Sequence, residues 1–255
     1  LLQYSRLPYG ISCAVGIFQR EIERILSGIP NLVVYLDDVL IGSSSDEEHW
    51  RILEDVFNRL DEAGLRVREN KCELFTRSVQ YLGHRISCHG VQPLPNKVKA
   101  IVSAPAPVNQ SELKAFVGLV TYYSRFISHR AEVMSPLYDL LRKDAKWEWG
   151  PEQDACFKAI KNRLASSVLL EHYDPCKQLV LSCDASSKGI SAVLAHIDDS
   201  GVEKPISFCS RRLSPAEAKY SQIEREALAI ILGVTRHHQY LCGLPKPFWL
   251  VTDHK

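Results

Sequence analysis

The sequence predicts an α+β protein with more than one domain. Its 255 residues, 45% of them hydrophobic and 24% charged, are enough for two or three ordinary globular cores. Along the chain the hydrophobic pattern changes twice. Helix and strand patterns alternate as far as about residue 103, helical patterns alone follow over 111–141, and strand patterns return after about residue 177. This order predicts two mixed regions separated by a helical region.

The first mixed region is predicted to hold two helices and a strand hairpin. Gly28 and Pro30 end the first helix, because both residues interrupt helical backbone. Asp46 is predicted to cap the second helix and Gly64 to end it. The predicted elements are a helix over 14–26, strands over 32–34 and 39–41, a helix over 46–64, and strands at 73–75 and 81–87.

The rest of the chain is predicted to be a helical region followed by a mixed sheet. The Pro-containing segment 104–107 separates the first two regions, and a further helix ends at about residue 170. A meander of three strands, a crossover helix and a returning strand predict a mixed sheet with a helix on its face. These last elements are strands over 178–183, 190–197 and 205–210, a helix over 215–240 and a strand over 248–252.

Charge and hydrophobicity exclude some classes of protein. The net charge is only +1, but basic side chains cluster locally. Each cluster is either a contact for nucleic acid phosphates or ordinary solvated surface. The longest apolar runs are far shorter than the roughly 18 residues of a membrane span, so no membrane contact is predicted. The basic clusters are Arg66, Arg68 and Lys71; Lys97 and Lys99; and Arg211 and Arg212.

The eight cysteines contain no Cys-X-X-Cys pair. Structural zinc sites usually need such close pairs, so no zinc site is predicted. Cys183 and Cys209 lie within apolar, strand-like runs and are predicted to be small core residues. This use of cysteine indicates a reduced, intracellular protein.

Two adjacent carboxylates, Asp37 and Asp38, lie between apolar runs in the segment Tyr35-Leu36-Asp37-Asp38. Water-poor surroundings would favour the neutral acids unless a cation compensates. A hairpin with the acids at its bend, holding divalent metal, is one solution, and phosphoryl transfer is the chemistry that most often needs it. The alternative is an ordinary Asp-Asp turn on the surface. These four residues alone do not decide between the two.

A second set of acids lies at the ends of elements in the last region. Asp184 ends one predicted strand and Asp253 ends another, while Glu224 and Glu226 flank the apolar face of the long helix. Three of these acids could meet at one rim of the sheet and bind metal. Alternatively, each of them caps a turn or faces solvent. Helical spacing does not choose between Glu224 and Glu226.

With both sets of acids located, the chain resembles the Pol polyprotein of gypsy-type (metavirus) LTR retrotransposons over essentially its whole length. The order and spacing of several motifs carry the resemblance. They are Arg6-Leu7-Pro8-Tyr9-Gly10, Phe18-Gln19-Arg20, Tyr35-Leu36-Asp37-Asp38, Tyr81-Leu82-Gly83-His84, Gly118-Leu119 with Tyr122-Tyr123-Ser124-Arg125-Phe126, Cys183-Asp184-Ala185-Ser186, Tyr220 to Ala229, and Thr252-Asp253-His254-Lys255. The resemblance implies a reverse transcriptase palm and helical thumb, followed by a ribonuclease H-like mixed sheet with helices.

The resemblance also implies roles at a polymerase site. Asp37 and Asp38 match the acids that hold magnesium where the primer 3′-hydroxyl attacks the α-phosphate of a nucleotide. The residues implied to contact substrate are Pro8, Tyr9 and Gly10 beside the incoming nucleotide and template base, Tyr35 and Leu36 near the primer end, and Leu82 and Gly83 in the primer grip.

A ribonuclease H site is implied in the last region. Asp184, Glu226 and Asp253 match three of the family's acids, and the position of the family's glutamate favours Glu226 over Glu224. A metal-activated water would there attack the RNA strand of a hybrid. The basic clusters, together with Tyr122, Tyr123 and Phe126, are expected to contact the template–primer.

Organisation and partners follow from the same resemblance. The expected cofactor is Mg²⁺, with Mn²⁺ as a substitute. The expected partners are an RNA/DNA template–primer, deoxynucleoside triphosphates, and the protease and integrase of the same polyprotein, in the cytoplasm within element-encoded particles. The expected parts are a partial palm with the Tyr-Leu-Asp-Asp hairpin over 1–92, a helical thumb-like segment over 93–145, a connection over 146–176 and a C-terminally truncated ribonuclease H-like domain over 177–255.

Both sites are expected to be incomplete. The family takes a further metal-binding Asp from upstream of the Leu-Pro-Tyr-Gly motif, and a fourth ribonuclease H acid from downstream of the position of Asp253. Both ends of this chain look cut before those positions. Two other functions remain open: a non-catalytic nucleic-acid-binding remnant of a decayed or co-opted element, and a structural protein whose acids only form turns.

Overall fold

The computed structural model describes residue 8 and residues 10–166 and 168–253. The chain forms two compact units, Leu1–Tyr81 and Leu82–Lys255. Both units combine helices with antiparallel strands or a mixed sheet, which confirms the predicted α+β class. The finer division into palm, thumb, connection and ribonuclease H-like parts stays a prediction.

The first unit contains the acidic hairpin. Its elements are α1 (Ala14–Ile25), β1 (Leu32–Tyr35), β2 (Asp38–Ile41), α2 (Asp46–Glu62), a 3-10 turn (Glu69–Lys71) and β3 (Ser78–Tyr81). The apolar faces of α1 and α2 form its core. The buried residues of that core are Ile22, Leu26, Ile29, Ile52, Val56 and Leu60.

Two local predictions for this unit were wrong. The cap of α2 is Ser45 and not Asp46: the Ser45 hydroxyl accepts a hydrogen bond from the Glu48 amide at 3.2 Å. Asp46 is instead the first helical residue, where its negative charge interacts favourably with the positive N-terminal end of the helix dipole. The predicted strand at 73–75 is irregular, because Phe75 has a φ of 54°, which a strand does not accommodate.

The second unit begins with a hairpin and a set of helices. The predicted strand 81–87 is interrupted at Leu82 and Gly83, whose φ values are both positive. The prediction that 111–141 is helical is confirmed, whereas the helix expected to reach residue 170 ends earlier, at Ala165. The elements are β4 (His84–Ser87), β5 (Gly90–Pro93), α3 (Pro95–Ser103), α4 (Gln110–Tyr122), a 3-10 turn (Ser124–Phe126), α5 (Arg130–Val133), α6 (Ser135–Asp139) and α7 (Pro151–Ala165).

These helices share one core, closed at one side by a main-chain bridge. Val91 and Leu170 exchange two backbone hydrogen bonds, at 2.8 and 3.0 Å. Gly90 permits this approach, because a Cβ atom there would lie 2.1 Å from the Leu170 carbonyl oxygen. The fully buried members of the core include Leu113, Val120, Met134, Leu137, Ile160 and Leu164.

The last part of the second unit is a four-stranded mixed sheet, as predicted. The strands β6 (Leu179–Ala185), β7 (Gly189–Ile197), β8 (Glu203–Arg212) and β9 (Trp249–Val251) lie in the order β8-β7-β6-β9. β7 pairs antiparallel with β6 and β8, whereas β9 pairs parallel with β6. The predicted helix 215–240 is divided into a 3-10 turn (Glu217–Lys219), α8 (Gln222–Arg236) and α9 (His238–Leu241).

Helices cover both faces of this sheet. α8 packs closely on one face, where a Cβ atom at Gly233 would lie 3.0 Å from Ala192 Cβ. On the other face, the Ala131 amide of α5 donates to the Ser210 hydroxyl at 3.1 Å. Because alternate strand residues point to opposite faces, the two layers meet different side chains of the same strands.

The cysteine prediction is confirmed. Cys183 is buried in the sheet core and Cys209 packs against it. Burial raises the pKa of the Cys183 thiol to about 12 and that of Cys209 to about 11, so both remain neutral thiols. All eight cysteines are free. Among the helices of the described ranges, none combines the length and the apolar character needed to cross a bilayer.

Candidate functional site

The acidic residues of the first unit lie at the bend of a hairpin, as predicted. Tyr35 and Asp38 are the last paired residues of β1 and β2, so Leu36 and Asp37 form the turn itself. Leu36 adopts a φ of 53°, a left-handed conformation that is uncommon for a branched apolar residue. Both carboxylates are exposed. The turn therefore presents two adjacent acids to solvent on a strained backbone.

Gln19, in α1, fixes this turn through its side-chain amide. Its Nε2 donates to the Val34 carbonyl at 3.1 Å, and its Oε1 accepts from the Leu36 amide at 2.6 Å. One side chain thus satisfies backbone groups on both sides of Tyr35. Gln19 lies in a motif that carries the resemblance, although the resemblance implied no role for it. We found no signal in the sequence that would have linked it to the turn.

Tyr81, at the end of β3, lies beside the same turn. Burial raises the pKa of the Tyr81 hydroxyl, and the negative charge of Asp38 raises it further. The hydroxyl is buried and has no hydrogen-bond partner among the described residues. A neutral tyrosine hydroxyl therefore lies within the electrostatic influence of the exposed Asp38 carboxylate.

The donor chemistry of the turn suits a hard divalent cation, but two carboxylates do not make a complete site. Carboxylate oxygens are the ligands that Mg²⁺ prefers. Within the described ranges, no group of three or more His, Cys, Asp or Glu side chains is arranged to hold a metal ion. Asp37 and Asp38 are thus two adjacent carboxylates of the type that binds such an ion, without a third ligand of these types grouped with them in the described ranges.

Asp184 and Asp253 lie towards the same edge of the sheet, although the described acids of this region do not form a group of three arranged to hold a metal ion. Ser182 of β6 pairs in parallel with Val251 of β9, and Asp184 and Asp253 each follow two residues later. Parallel strands end at the same edge, so both acids lie there. Asp253 is exposed, and the Asp184 side chain is 44% exposed.

Glu226 is held between the chain neighbours of these two acids. The Nε2 of Gln222 donates to Glu226 Oε1 at 2.9 Å and to the Ala185 carbonyl at 3.0 Å. On the other side, the Thr252 hydroxyl donates to Glu226 Oε2 at 3.4 Å. Glu226 is buried with 8% of its surface exposed, and its carboxylate is fixed at the edge where the strands end.

Glu224 has a different role. Its carboxylate accepts from the Ser221 amide at 2.8 Å and from the Ser221 hydroxyl at 2.9 Å, which completes a capping box at the start of α8. These hydrogen bonds lower the pKa of Glu224. Helical spacing left the two glutamates equivalent, and the structure separates them: Glu224 caps the helix while Glu226 faces the sheet edge.

His129 is a neighbour of Asp184 that the sequence did not indicate. It precedes α5 and adopts a φ of 48°. Its Nδ1 lies 3.0 Å from the Ser191 hydroxyl and 3.4 Å from Asp184 Oδ2. The two residues are far apart in sequence, and a lone histidine in a loop carries no pattern that predicts such a contact.

Other predicted contact residues divide into exposed and buried ones. Tyr122 is 53% exposed, but Tyr123 and Phe126 are 4% and 3% exposed. The expectation that all three contact nucleic acid was therefore wrong, because α4 and the following turn direct Tyr123 and Phe126 into the core. Pro8 and Gly10 lie in the irregular segment before α1, and Tyr9 lies outside the described residues.

The residues of the basic clusters divide into exposed ones and ones held in ion pairs. Arg66, Arg68, Lys97 and Lys99 are exposed. Arg211 instead binds Glu217 through two hydrogen bonds of 2.8 Å, which lower the pKa of Glu217 to about 2. Arg212 pairs with Asp139 at 2.8 Å. These last two arginines hold elements of the second unit together.

Two family models match the chain. The model described as "Reverse transcriptase (RNA-dependent DNA polymerase)" matches residues 1–86, and the one described as "RNase H-like domain found in reverse transcriptase" matches residues 149–250. The first match includes the acidic turn, and the second includes Asp184 and Glu226.

Curated relatives match this chain over its whole length. The Tf2-3 and Tf2-7 transposon polyproteins of Schizosaccharomyces pombe are each 35% identical over 257 aligned residues, which cover 100% of this chain and 19% of each polyprotein. The chain thus spans about a fifth of the length of these relatives.

Solved structures of reverse transcriptases are similar to this chain as well. A foamy viral protease-reverse transcriptase (dRH) in complex with double-stranded DNA has a TM-score of 0.86 and 26% identity, covering 98% of this chain and 44% of that one. The foamy viral protease-reverse transcriptase in complex with an RNA/DNA hybrid has a TM-score of 0.83 and 26% identity, covering 98% and 34%. The chain therefore combines a region that matches reverse transcriptases with a following RNase H-like domain, and over its whole length it is similar to part of gypsy-type LTR retrotransposon polyproteins.

Proposed function

We propose that this chain is the part of a retrotransposon polyprotein that copies RNA into DNA and degrades the RNA of the resulting hybrid. The observation that carries the proposal is the Tyr35–Asp38 turn, in which two adjacent carboxylates are exposed on a backbone held by Gln19. Catalysis of phosphoryl transfer depends mainly on the positioning of the reacting groups and on the neutralisation of their charge. A turn that is fixed from two sides and carries two acids suits that requirement.

At the polymerase site, Asp37 and Asp38 would hold Mg²⁺, with Mn²⁺ as a substitute and with a third acid from upstream in the polyprotein. Bound divalent ions supply neutralisation of the phosphate charge and activation of the attacking oxygen. Gln19 keeps the turn oriented through its hydrogen bonds to Val34 and Leu36. Tyr35 and Leu36 would lie against the primer end, and Leu82 and Gly83 would support it.

At the ribonuclease H site, Asp184, Glu226 and Asp253 would bind the metal together with a fourth acid. Glu226 is oriented for this by Gln222 and Thr252, whose hydrogen bonds fix both carboxylate oxygens. The substrate would be the RNA strand of an RNA/DNA hybrid. Support comes from the edge position of these acids and from the structural relative that binds such a hybrid.

The proposed partners are an RNA/DNA template–primer, deoxynucleoside triphosphates, and the protease and integrase parts of the same polyprotein. Exposed Arg66, Arg68, Lys97 and Lys99 would contact the phosphate backbone. We further propose a location in the cytoplasm, within element-encoded particles. The eight free thiols are consistent with a reducing compartment.

Primer extension tests the proposal. A longer protein that contains residues 1–255 and the upstream acid should extend a primer on RNA with Mg²⁺, whereas the 255-residue chain alone should extend it poorly. In the longer protein, Asp37→Asn should reduce extension on the order of 100-fold or more, since it removes a metal ligand. Template–primer binding should persist.

The matched control is Asp61→Asn, an exposed acid on α2 that belongs to neither site. It removes the same charge and should extend the primer like the parent protein. Extension that survives Asp37→Asn contradicts the assigned role of the turn. A longer protein that binds template–primer tightly but never extends it would instead identify a binding remnant.

A further inference from the structure

The backbone between β3 and β4 makes a left-handed turn at Leu82 and Gly83. Leu82 has a φ of 42° and Gly83 a φ of 70°. For a leucine this conformation is costly, so surrounding contacts must maintain it. Gly83 cannot be replaced without movement, because a Cβ atom there would lie 2.9 Å from Tyr122 Oη and 3.0 Å from Tyr122 Cε1. The contacts that maintain the turn come from α4 and its C-terminal cap.

Two consecutive tyrosine hydroxyls bind the two carbonyl groups of this turn. Tyr122 Oη donates to the Leu82 carbonyl oxygen at 2.5 Å, and Tyr123 Oη donates to the Gly83 carbonyl oxygen at 3.0 Å. Tyr122 is the last residue of α4 and Tyr123 is its C-cap. Both tyrosines therefore leave the same helix end, and each of them fixes one peptide unit of the turn.

His84 adds a third hydrogen bond and connects the two aromatic rings around it. Its Nδ1 lies 2.6 Å from the Leu82 carbonyl oxygen, and since a carbonyl only accepts, Nδ1 carries the proton. The ring stacks on Tyr122 and on Phe126, with centroids 5.5 Å away in both cases. Burial lowers the pKa of His84, which keeps the imidazole neutral at physiological pH.

The side chains around the turn have unequal exposure. Leu82 is 37% exposed and Tyr122 is 53% exposed, so both can meet a ligand. Tyr123 is 4% exposed and can act only through the main chain that it binds. Although Tyr123 is buried, its hydroxyl binds a strained turn that contains the exposed Leu82 side chain. The two tyrosines therefore set the shape of a backbone segment that carries an exposed residue.

We propose that the hydroxyls of Tyr122 and Tyr123 are positioning groups, which hold the Leu82–Gly83 turn in the shape that places the primer terminus for nucleotide addition. This inference rests on the proposed polymerase function. The tyrosines act through the turn and take no part in the chemical step. Loss of both hydroxyls leaves the rings in place and leaves the Leu82 carbonyl only its bond from His84 and the Gly83 carbonyl only its longer bond from the Leu94 amide, so the turn is held less firmly while the core keeps its packing.

The test compares the double variant Tyr122→Phe/Tyr123→Phe with Tyr173→Phe in the longer polymerase that contains residues 1–255. Tyr173 is a matched control, because its hydroxyl also donates to a main-chain carbonyl, that of Tyr240, at 3.0 Å and within the same unit. We expect kcat for single-nucleotide addition to fall about fivefold to tenfold for each lost hydroxyl, with a smaller change in template–primer Kd. The control should retain kcat with a similar change in melting temperature.

Hydrogen exchange at the amides of residues 82–85 gives a second readout, which needs no activity. It should be faster in the double variant and unchanged in Tyr173→Phe. A double variant with the kcat and the exchange rates of the control overturns the proposal and leaves the polymerase function intact. If the parent protein does not extend primers at all, the polymerase function fails. Unchanged exchange at the turn would then overturn the hydroxyl contacts as well.

Discussion

The Leu36 amide donates a hydrogen bond of 2.6 Å to the side-chain oxygen of Gln19, a residue of α1. This contact ties the left-handed residue of the acidic turn to a helix of the same unit. Asp37 follows Leu36 directly, so the direction of its carboxylate depends on a side chain that never touches it. A metal ligand that must meet other ligands within a few tenths of an ångström needs such support.

Replacement of Gln19 tests this dependence. Gln19→Leu keeps the size of the side chain and removes the hydrogen bonds to Val34 and Leu36, so Asp37 should be less well oriented. We expect kcat for nucleotide addition to fall by roughly 10- to 100-fold, the usual cost of losing a group that orients a metal ligand. Steady-state primer extension over a series of Mg²⁺ concentrations measures the change, and the apparent affinity for Mg²⁺ should weaken.

Glu23→Ala is the control for that experiment. Gln19 also donates to Glu23 at 2.7 Å on the exposed surface of α1, and this variant removes that contact alone. Its extension rate should match that of the parent protein. Equal activity of Gln19→Leu and Glu23→Ala would show that the turn holds its shape without Gln19.

Glu226 and Glu224 provide a matched pair in the RNase H-like domain. Glu226→Gln should reduce hybrid cleavage by about 100-fold or more, because it neutralises a carboxylate that is fixed at the edge of the sheet. Glu224→Gln should leave cleavage intact, because glutamine also serves in a capping box. A gel assay on a labelled RNA/DNA hybrid, with a protein that carries the downstream acid, measures both. Loss of cleavage in Glu224→Gln alone would reverse the assignment.

Gly90 should be intolerant of any side chain. Gly90→Ala places a Cβ atom 2.1 Å from the Leu170 carbonyl oxygen on a backbone with a φ of 135°. The bridge between Val91 and Leu170 would break, and the free energy of unfolding should fall by about 3 kcal/mol or more. Urea denaturation followed by circular dichroism measures this value.

Gly118→Ala, in α4, is the opposite case. A Cβ atom there meets nothing within 4 Å, and the position is helical. The free energy of unfolding should rise by about 0.5–1 kcal/mol, since alanine restricts the unfolded chain more than glycine does. If the two variants have the same stability, the close approach at Gly90 is not a real constraint.

The Arg211–Glu217 pair predicts a dependence of stability on pH. The pKa of Glu217 is lowered from its ordinary value of 4.5 to about 2, mainly by its hydrogen bonds to Arg211. A lowered pKa in the folded protein stabilises the fold above about pH 4.5, and this stabilisation is lost as the pH falls towards 2.

Glu217→Gln should therefore be less stable than the parent at pH 7, by roughly 0.5–1 kcal/mol for a partly exposed pair. The difference should disappear near pH 2. Unfolding midpoints in urea at pH 7, 4 and 2.5 test this expectation. A difference that stays constant over that range would mean that the charge of Glu217 does not contribute.

Prediction from sequence succeeded where local pattern decides structure. The hairpin with acids at its bend follows from the two short apolar runs over 32–34 and 39–41, which leave only four residues for the connection. The order of strands after residue 177 follows equally from alternating hydrophobicity and from the crossover helix. Errors arose where alternatives of similar local energy compete, as at Ser45 and Asp46, which are both good capping residues.

By itself, the sequence determined the order of the motifs, the class of fold and the position of acids at the bend of the hairpin and at the ends of later strands, because these depend on neighbours along the chain. Only the tertiary structure decided that Gln19 holds the turn, that Gln222 and Thr252 hold Glu226, and that Tyr123 and Phe126 are buried. Each of these outcomes depends on which distant element packs against a given helix face. Such contacts are set by the packing of the whole unit, which local periodicity does not encode.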